Sequence, residues 1–126
     1  VAVSDIRSYR DLRVWREAMD LAVACYRLTA DFPKSETFGM TSQIRRGSAS
    51  IAANIAEGYG RQSSGSYVHF LRVAQGSLKE LETFLLLSER VGLTSSADIE
   101  PLLGYCETVG KMLQSLIRSI ETEPRP

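Results

Sequence analysis

The sequence predicts an all-α protein, an antiparallel up-down-up-down four-helix bundle. Three observations carry this. Apolar residues recur with 3,4 spacing in four separate segments. Serine, glycine and proline clusters punctuate the segments, and few stretches read as strands. The connections are short, which sets sequential helices side by side and antiparallel. At 126 residues the chain is read as a single domain, 1–126, large enough for one real core.

The first helix is expected at about 11–30. Leu12, Trp15, Met19, Ala22, Tyr26 and Thr29 form its a/d seam, and Val14, Ala18, Leu21, Cys25 and Leu28 form a second stripe beside it. Ser8 and Asp11 offer capping oxygens, and Pro33 lies just past the end. The second helix is expected at about 38–61. Met40, Ile44, Gly47, Ile51, Ile55 and Gly58 share one face, and Ala49, Ala53, Ala56 and Gly60 form another made only of small residues. Gly60 and the Ser63-Ser64-Gly65 run break the chain there.

The third helix is expected at about 66–91, capped by Ser63 or Ser64. Tyr67, Leu71, Ala74, Leu78, Leu81, Leu85 and Ser88 form its seam, Phe70, Val73, Phe84, Leu87 and Val91 a flanking stripe, and Gly92 its left-handed terminus. The fourth, at about 97–121, follows Ser95 or Ser96. Its seam is Ile99, Leu102, Cys106, Val109, Leu113, Leu116 and Ile120. Asp98 and Glu100 suit the positive end of its dipole, and Pro101 falls near the first turn. Glu123–Pro126 reads as a fraying polar tail.

Charge narrows the function classes. Lys plus Arg is 15 and Asp plus Glu is 15, so the net charge is zero and no uniformly basic nucleic-acid binder is expected. Residues 34–62 hold the only basic excess, and residues 93–126 an acidic one. Along the first helix, Arg13–Glu17 and Arg16–Asp20 are spaced as i,i+4 pairs, which suits a solvated face. No apolar run approaches the ~18 residues of a membrane span. No signal peptide is visible at Val1–Arg10, so the chain reads as cytoplasmic, with no membrane partner. Cys25 and Cys106 match no zinc spacing and read as small buried hydrophobes; the topology places them at similar heights.

Catalytic chemistry has no visible constellation. Ser50 has no histidine near it in sequence, and the sole histidine, His69, sits between Val68 and Phe70. The glycines match no phosphate loop, and no Glu-x-x-His pair is present. The expectation is no catalysis, no metal and no cofactor. The unusual feature is a polar stripe on the second helix: Gln43, Arg46, Ser50, Asn54 and Glu57, continued by Arg61, fall in one arc of roughly 80°. It reads either as a hydrogen-bond ladder fixing register or an interface, or as a ligand or RNA groove, with Arg45, Arg46 and Arg61 as the nucleic-acid contacts.

Between its faces this helix keeps only Thr41, Arg45, Ser48, Ala52 and Tyr59 for free solvation. Together with the two stripes of the first helix, that is more apolar face than one bundle buries, so the chain is expected to associate with copies of itself.

Several motifs together resemble a known family. Leu12-x-Val14-Trp15, Phe32-Pro33, Thr41-Ser42-Gln43-Ile44-Arg45-Arg46, Ser50-Ile51, Asn54-Ile55-Ala56-Glu57-Gly58 and Gly76-Ser77-Leu78-x-Glu80-Leu81 look like the bacterial four-helix-bundle proteins encoded in intervening sequences of 23S rRNA genes. That family is similar to the accessory protein of diversity-generating retroelements. The resemblance covers about residues 8–120 and implies a left-handed bundle, a homopentameric ring and no enzymatic activity. The retroelement relatives are strongly basic and bind nucleic acid; with zero net charge this chain is expected to bind it weakly at most. The expected role is a helical scaffold or adaptor, with an RNA- or DNA-binding accessory protein as the alternative.

Overall fold

The computed structural model describes residues 6–124. Four long helices carry the fold: α1 (Arg13–Thr29), α2 (Met40–Tyr59), α3 (Ser64–Arg90) and α4 (Ser96–Thr122). Single 3₁₀ turns, Tyr9–Asp11 and Lys34–Glu36, precede α1 and α2, and there is no strand among the described residues. Of the tail expected to fray, residues 125 and 126 lie outside the described residues.

Local chemistry sets the boundaries. Ser8 and Asp11 do form a cap, but for the 3₁₀ turn rather than for α1. Ser8 Oγ accepts from the Arg10 amide at 3.1 Å, and the Asp11 carboxylate accepts from the amides of Arg7 at 2.8 Å and Ser8 at 3.1 Å. Those amide bonds hold the Asp11 carboxyl below its ordinary 3.8. Leu12 then turns extended, with ψ of 125°, and inserts its side chain into the core, so α1 begins two residues later than expected.

α2 starts at Met40, whose amide donates to Glu36 Oε1 at 3.0 Å. Ser63 Oγ accepts from the Ser66 amide and Ser95 Oγ from the Asp98 amide, each at 3.1 Å, which settles the caps of α3 and α4. Gly92 ends α3 with φ of +82°, as only glycine does without strain, and the Leu93 amide closes back on the Ser88 carbonyl at 2.9 Å. Since α4 begins at Ser96, Pro101 sits in the second turn rather than the first, on an exposed side of the helix.

The helices close as a four-membered bundle in which α1 lies beside α2 and α4, and α3 beside α2 and α4. Ser50 faces Ser77 whereas Gly58 faces Phe70, so α2 and α3 run antiparallel. Leu78 beside Gly110 and Gln75 beside Gln114 show the same for α3 and α4. Leu21, Ile44, Ile51, Ile55, Leu71, Leu78, Leu85 and Leu113 are among the fully buried side chains.

Three expectations are corrected here. The inward stripe of α1 is Val14, Ala18, Leu21 and Cys25, whereas Met19 and Tyr26 of the expected seam are exposed. Short side chains at Ala18 and Cys25 let α1 approach the core closely, which bulky Trp15 and Tyr26 would prevent. Ser48 and Ala52, expected to be solvated, are buried at 0% and 4% exposure, because α2 packs on α1 along one flank and α3 along the other. The Arg13–Glu17 and Arg16–Asp20 pairs do not close; the ion pairs among the described residues lie elsewhere.

Candidate functional site: an apolar groove and a polar ladder

Displacing the expected a/d seam of α1 from the core creates a surface feature. Trp15, Met19, Ala22, Val23 and Tyr26 of α1 face Ala49, Ala52, Ala53 and Ala56 of α2 across an open groove of about 750 Å³. The alanines make its floor, and the longer α1 side chains make one wall. Met19, Val23 and Tyr26 are 40–47% exposed. Among the described residues, Arg27 is the only charged one lining it.

Both ends of the groove are aromatic and capped by arginine. At one end Tyr9 meets Trp15 edge to face at 5.2 Å, with Arg10 5.7 Å over Tyr9. At the other, Arg45 lies 4.7 Å over the Tyr26 ring. Arg45 is also held by the end of α1: its Nε donates to Thr29 Oγ1 at 2.9 Å and its terminal nitrogen to the Tyr26 carbonyl at 3.3 Å. The structure thus uses this candidate nucleic-acid contact as a brace on the C-terminus of α1.

The polar stripe lies on the opposite flank of α2, along its seam with α3. Asn54 Nδ2 donates to the Ser50 carbonyl at 2.8 Å and to Ser50 Oγ at 3.0 Å, and the Ser50 and Ser77 hydroxyls share a 3.1 Å hydrogen bond. These three half-buried side chains form a short ladder between the helices. Gln43, Arg46 and Glu57 are exposed beyond it. Gln43, Arg46, Ser50 and Ser77 border a polar cleft shared with Glu80. Arg61 pairs with Glu57 at 2.7 Å and stacks 4.6 Å over Phe70, so two of its interactions are already spent within the chain.

The structure therefore divides the candidate residues. Ser50 and Asn54 are brought together with Ser77, a partner that the stripe on α2 does not reveal. Arg61 and Glu57 pair as their spacing suggests. Arg45 is separated from Arg46 and faces the other flank.

Cys25 and Cys106 are free and buried, and burial pushes both thiols up to about 12. His69 is exposed, edge-on to Phe70 at 5.4 Å. Among the described residues no group of three or more His, Cys, Asp or Glu is placed to hold a metal ion, and no helix is long and apolar enough to cross a membrane.

Sequence reasoning gave no role to the outer face of α3. Val73, Leu87 and Val91 are 39%, 43% and 61% exposed there. Their stripe is visible in the sequence, but which of its members turn inward is not: Phe70 and Phe84 are half-buried, and these three stay exposed.

Comparison with known proteins follows the same pattern. The fold is similar to a crystal structure from Bacteroides thetaiotaomicron VPI-5482, described as a protein of unknown function from the S23 ribosomal protein family. The TM-score is 0.74 and the identity 27%, over 82% of this chain and 97% of that one. No curated protein matches. The family described as 23S rRNA-intervening sequence protein matches residues 10–115, which span α1, α2, α3 and most of α4. The chain belongs to the 23S rRNA-intervening sequence protein family.

Proposed function

We propose that this protein is a non-catalytic helical scaffold or adaptor that assembles with copies of itself, and that the α1–α2 groove is an assembly surface. The groove is the observation that supports this. It gathers Trp15, Met19, Val23 and Tyr26 over an alanine floor and leaves them at the surface. Exposed apolar patches of this kind mark interaction sites. The floor offers no side-chain hydrogen-bond donor or acceptor, as a groove for another helix requires and a site for a polar metabolite does not. A homo-oligomeric ring, five-membered by the family resemblance, is the assembly proposed. Light scattering on a sizing column tests it: a mass several times the 14.0 kDa chain is expected.

A second reading rests on the description of the family, which names 23S rRNA. On that reading the protein is an RNA- or DNA-binding accessory protein that contacts phosphate through Arg46 and Arg61. The distribution of arginines supports only weak binding, because Arg45 braces α1 and Arg61 is paired with Glu57. Titration of structured RNA at physiological salt tests it, with at most weak, nonspecific binding expected.

A further inference from the structure

We infer that Arg7, Arg10, Arg13 and Arg16, at the start of α1, form a patch that grips the phosphodiester backbone of a nucleic acid. This rests on the second reading above and gives it a denser set of contacts than Arg46 and Arg61.

All four side chains are exposed. None closes an ion pair with another described residue. Arg10 lies 5.7 Å over the neighbouring Tyr9 ring. Apart from Arg45, which Thr29 holds, the other described cations without an ion pair are Arg27, Lys34, Arg46, Arg90 and Arg118. Each of those stands on a different element.

Local structure concentrates the four. In one continuous helix, arginines at every third residue would wind around the axis. The chain is not one helix here, because the Tyr9–Asp11 turn and the extended Leu12 break it before α1 starts at Arg13. Asp11 sits at the bend. Its carboxylate accepts from the Arg7 amide at 2.8 Å; beyond its amide bonds, the charges of Arg16 and Arg7 hold the carboxyl below its ordinary 3.8. Arg7, before the bend, and Arg16, after it, therefore lie around one carboxyl group.

The neighbouring acids leave the patch positive. Residues 7–16 hold four arginines against Asp11 alone. Asp11 is committed to the amides of Arg7 and Ser8. Glu17 and Asp20, spaced to pair with Arg13 and Arg16, pair with neither. The first turn of α1 holds no acidic residue, so the positive end of its dipole adds to the field.

Each guanidinium is a fork of donors that matches phosphate, and four together suit a polymer charged at every step. No Asn or Gln stands among residues 7–16 to read a base edge, so the contact is to the backbone and independent of sequence. Four phosphate contacts give log affinity a slope of roughly −3.6 against log salt, a loss of about fiftyfold between about 50 and 150 mM. Binding is then measurable at low salt and weak at physiological salt.

Fluorescence anisotropy with duplex RNA and duplex DNA of one sequence, titrated with the full chain, tests the assignment. Arg7→Gln/Arg13→Gln should lower affinity at about 50 mM salt by at least roughly tenfold and flatten the salt slope by about 2. Lys34→Gln/Arg90→Gln removes the same charge elsewhere on the bundle and should leave the slope unchanged. Either duplex responding in this way supports the patch, and the tighter of the two names its source. If both variants weaken binding equally, net charge alone governs it and the inference fails. If Arg46→Gln/Arg61→Gln flattens the slope and Arg7→Gln/Arg13→Gln does not, the inference fails while the second reading survives. Polyglutamate that competes as well as RNA at equal charge concentration overturns the phosphate assignment. No binding of either duplex at low salt defeats both readings of these arginines. Circular dichroism should show unchanged helix content; should the first variant lose helix, Arg10→Gln/Arg16→Gln repeats the test.

Discussion

Arg45 of α2 reaches across to Thr29 of α1, donating a 2.9 Å hydrogen bond to its hydroxyl while the guanidinium covers the Tyr26 ring at 4.7 Å. Thr29 is itself buried and donates back to the Cys25 carbonyl at 2.8 Å. One side chain thus ties the last turn of α1 to the first turns of α2. Arg45→Ala should destabilise the protein by about 1–2 kcal/mol, read by urea denaturation, from the lost charge-assisted hydrogen bonds and the lost ring contact. Any residual RNA binding should be less affected by this change than by Arg46→Ala, since Arg46 is exposed and Arg45 is engaged.

Two glycines of α2 should respond in opposite directions to the same substitution. At Gly58 a β-carbon would lie 2.9 Å from Phe70 Cβ and 3.2 Å from the Tyr67 carbonyl oxygen, so the antiparallel approach of α3 depends on its absence. Gly58→Ala should cost about 1–3 kcal/mol through overpacking. At Gly47 nothing lies within 4 Å of the added carbon. Gly47→Ala should stabilise by roughly 0.5–1 kcal/mol through helix propensity. Thermal or urea unfolding of the pair separates close approach from mere helix content.

Cys25 and Cys106 give the protein a predictable alkaline weakness. Burial raises both thiols from 9.0 to about 12 in the folded chain. An unfolded chain ionises them from about pH 9, so ionisation favours the unfolded state between pH 9 and 12, and folding stability falls across that window. The Cys25→Ala/Cys106→Ala double variant should lose less stability than the wild type between pH 8.5 and 10.5 in urea denaturation. In native wild-type protein at pH 8, a thiol reagent should modify neither cysteine until the chain unfolds.

The α2–α3 ladder should behave as structure. Ser77→Ala removes the hydroxyl partner of Ser50 and should cost about 0.5–1.5 kcal/mol. Ser50 keeps its Asn54 contact, so the loss stays small. RNA binding should not change, whereas a binding groove centred on these residues would lose affinity with the same substitution.

Much of this was legible because helices announce themselves by period and punctuation. Ser63, Ser95 and Gly92 act at the expected boundaries, and the isoleucine face of α2 is the core face. What periodicity cannot decide is which of two parallel seams turns inward. On α1 both stripes have the same spacing, and the bulkier one looks like core. The choice is made by tertiary packing, where Ala18 and Cys25 permit an approach that Trp15 and Tyr26 do not. The same limit applies to Ser48 and Ala52, whose burial depends on two neighbours at once. At the polar stripe, sequence reveals the row Gln43 to Glu57 on α2. It does not reveal Ser77, twenty-seven residues beyond Ser50, which turns part of that row into a ladder.

The mass of the native protein in solution tests the central claim most directly. Multi-angle light scattering on a sizing column at micromolar concentration should give a discrete mass several times 14.0 kDa, as the proposed covering of the α1–α2 groove by another copy requires. A single species at the mass of one chain would contradict the account.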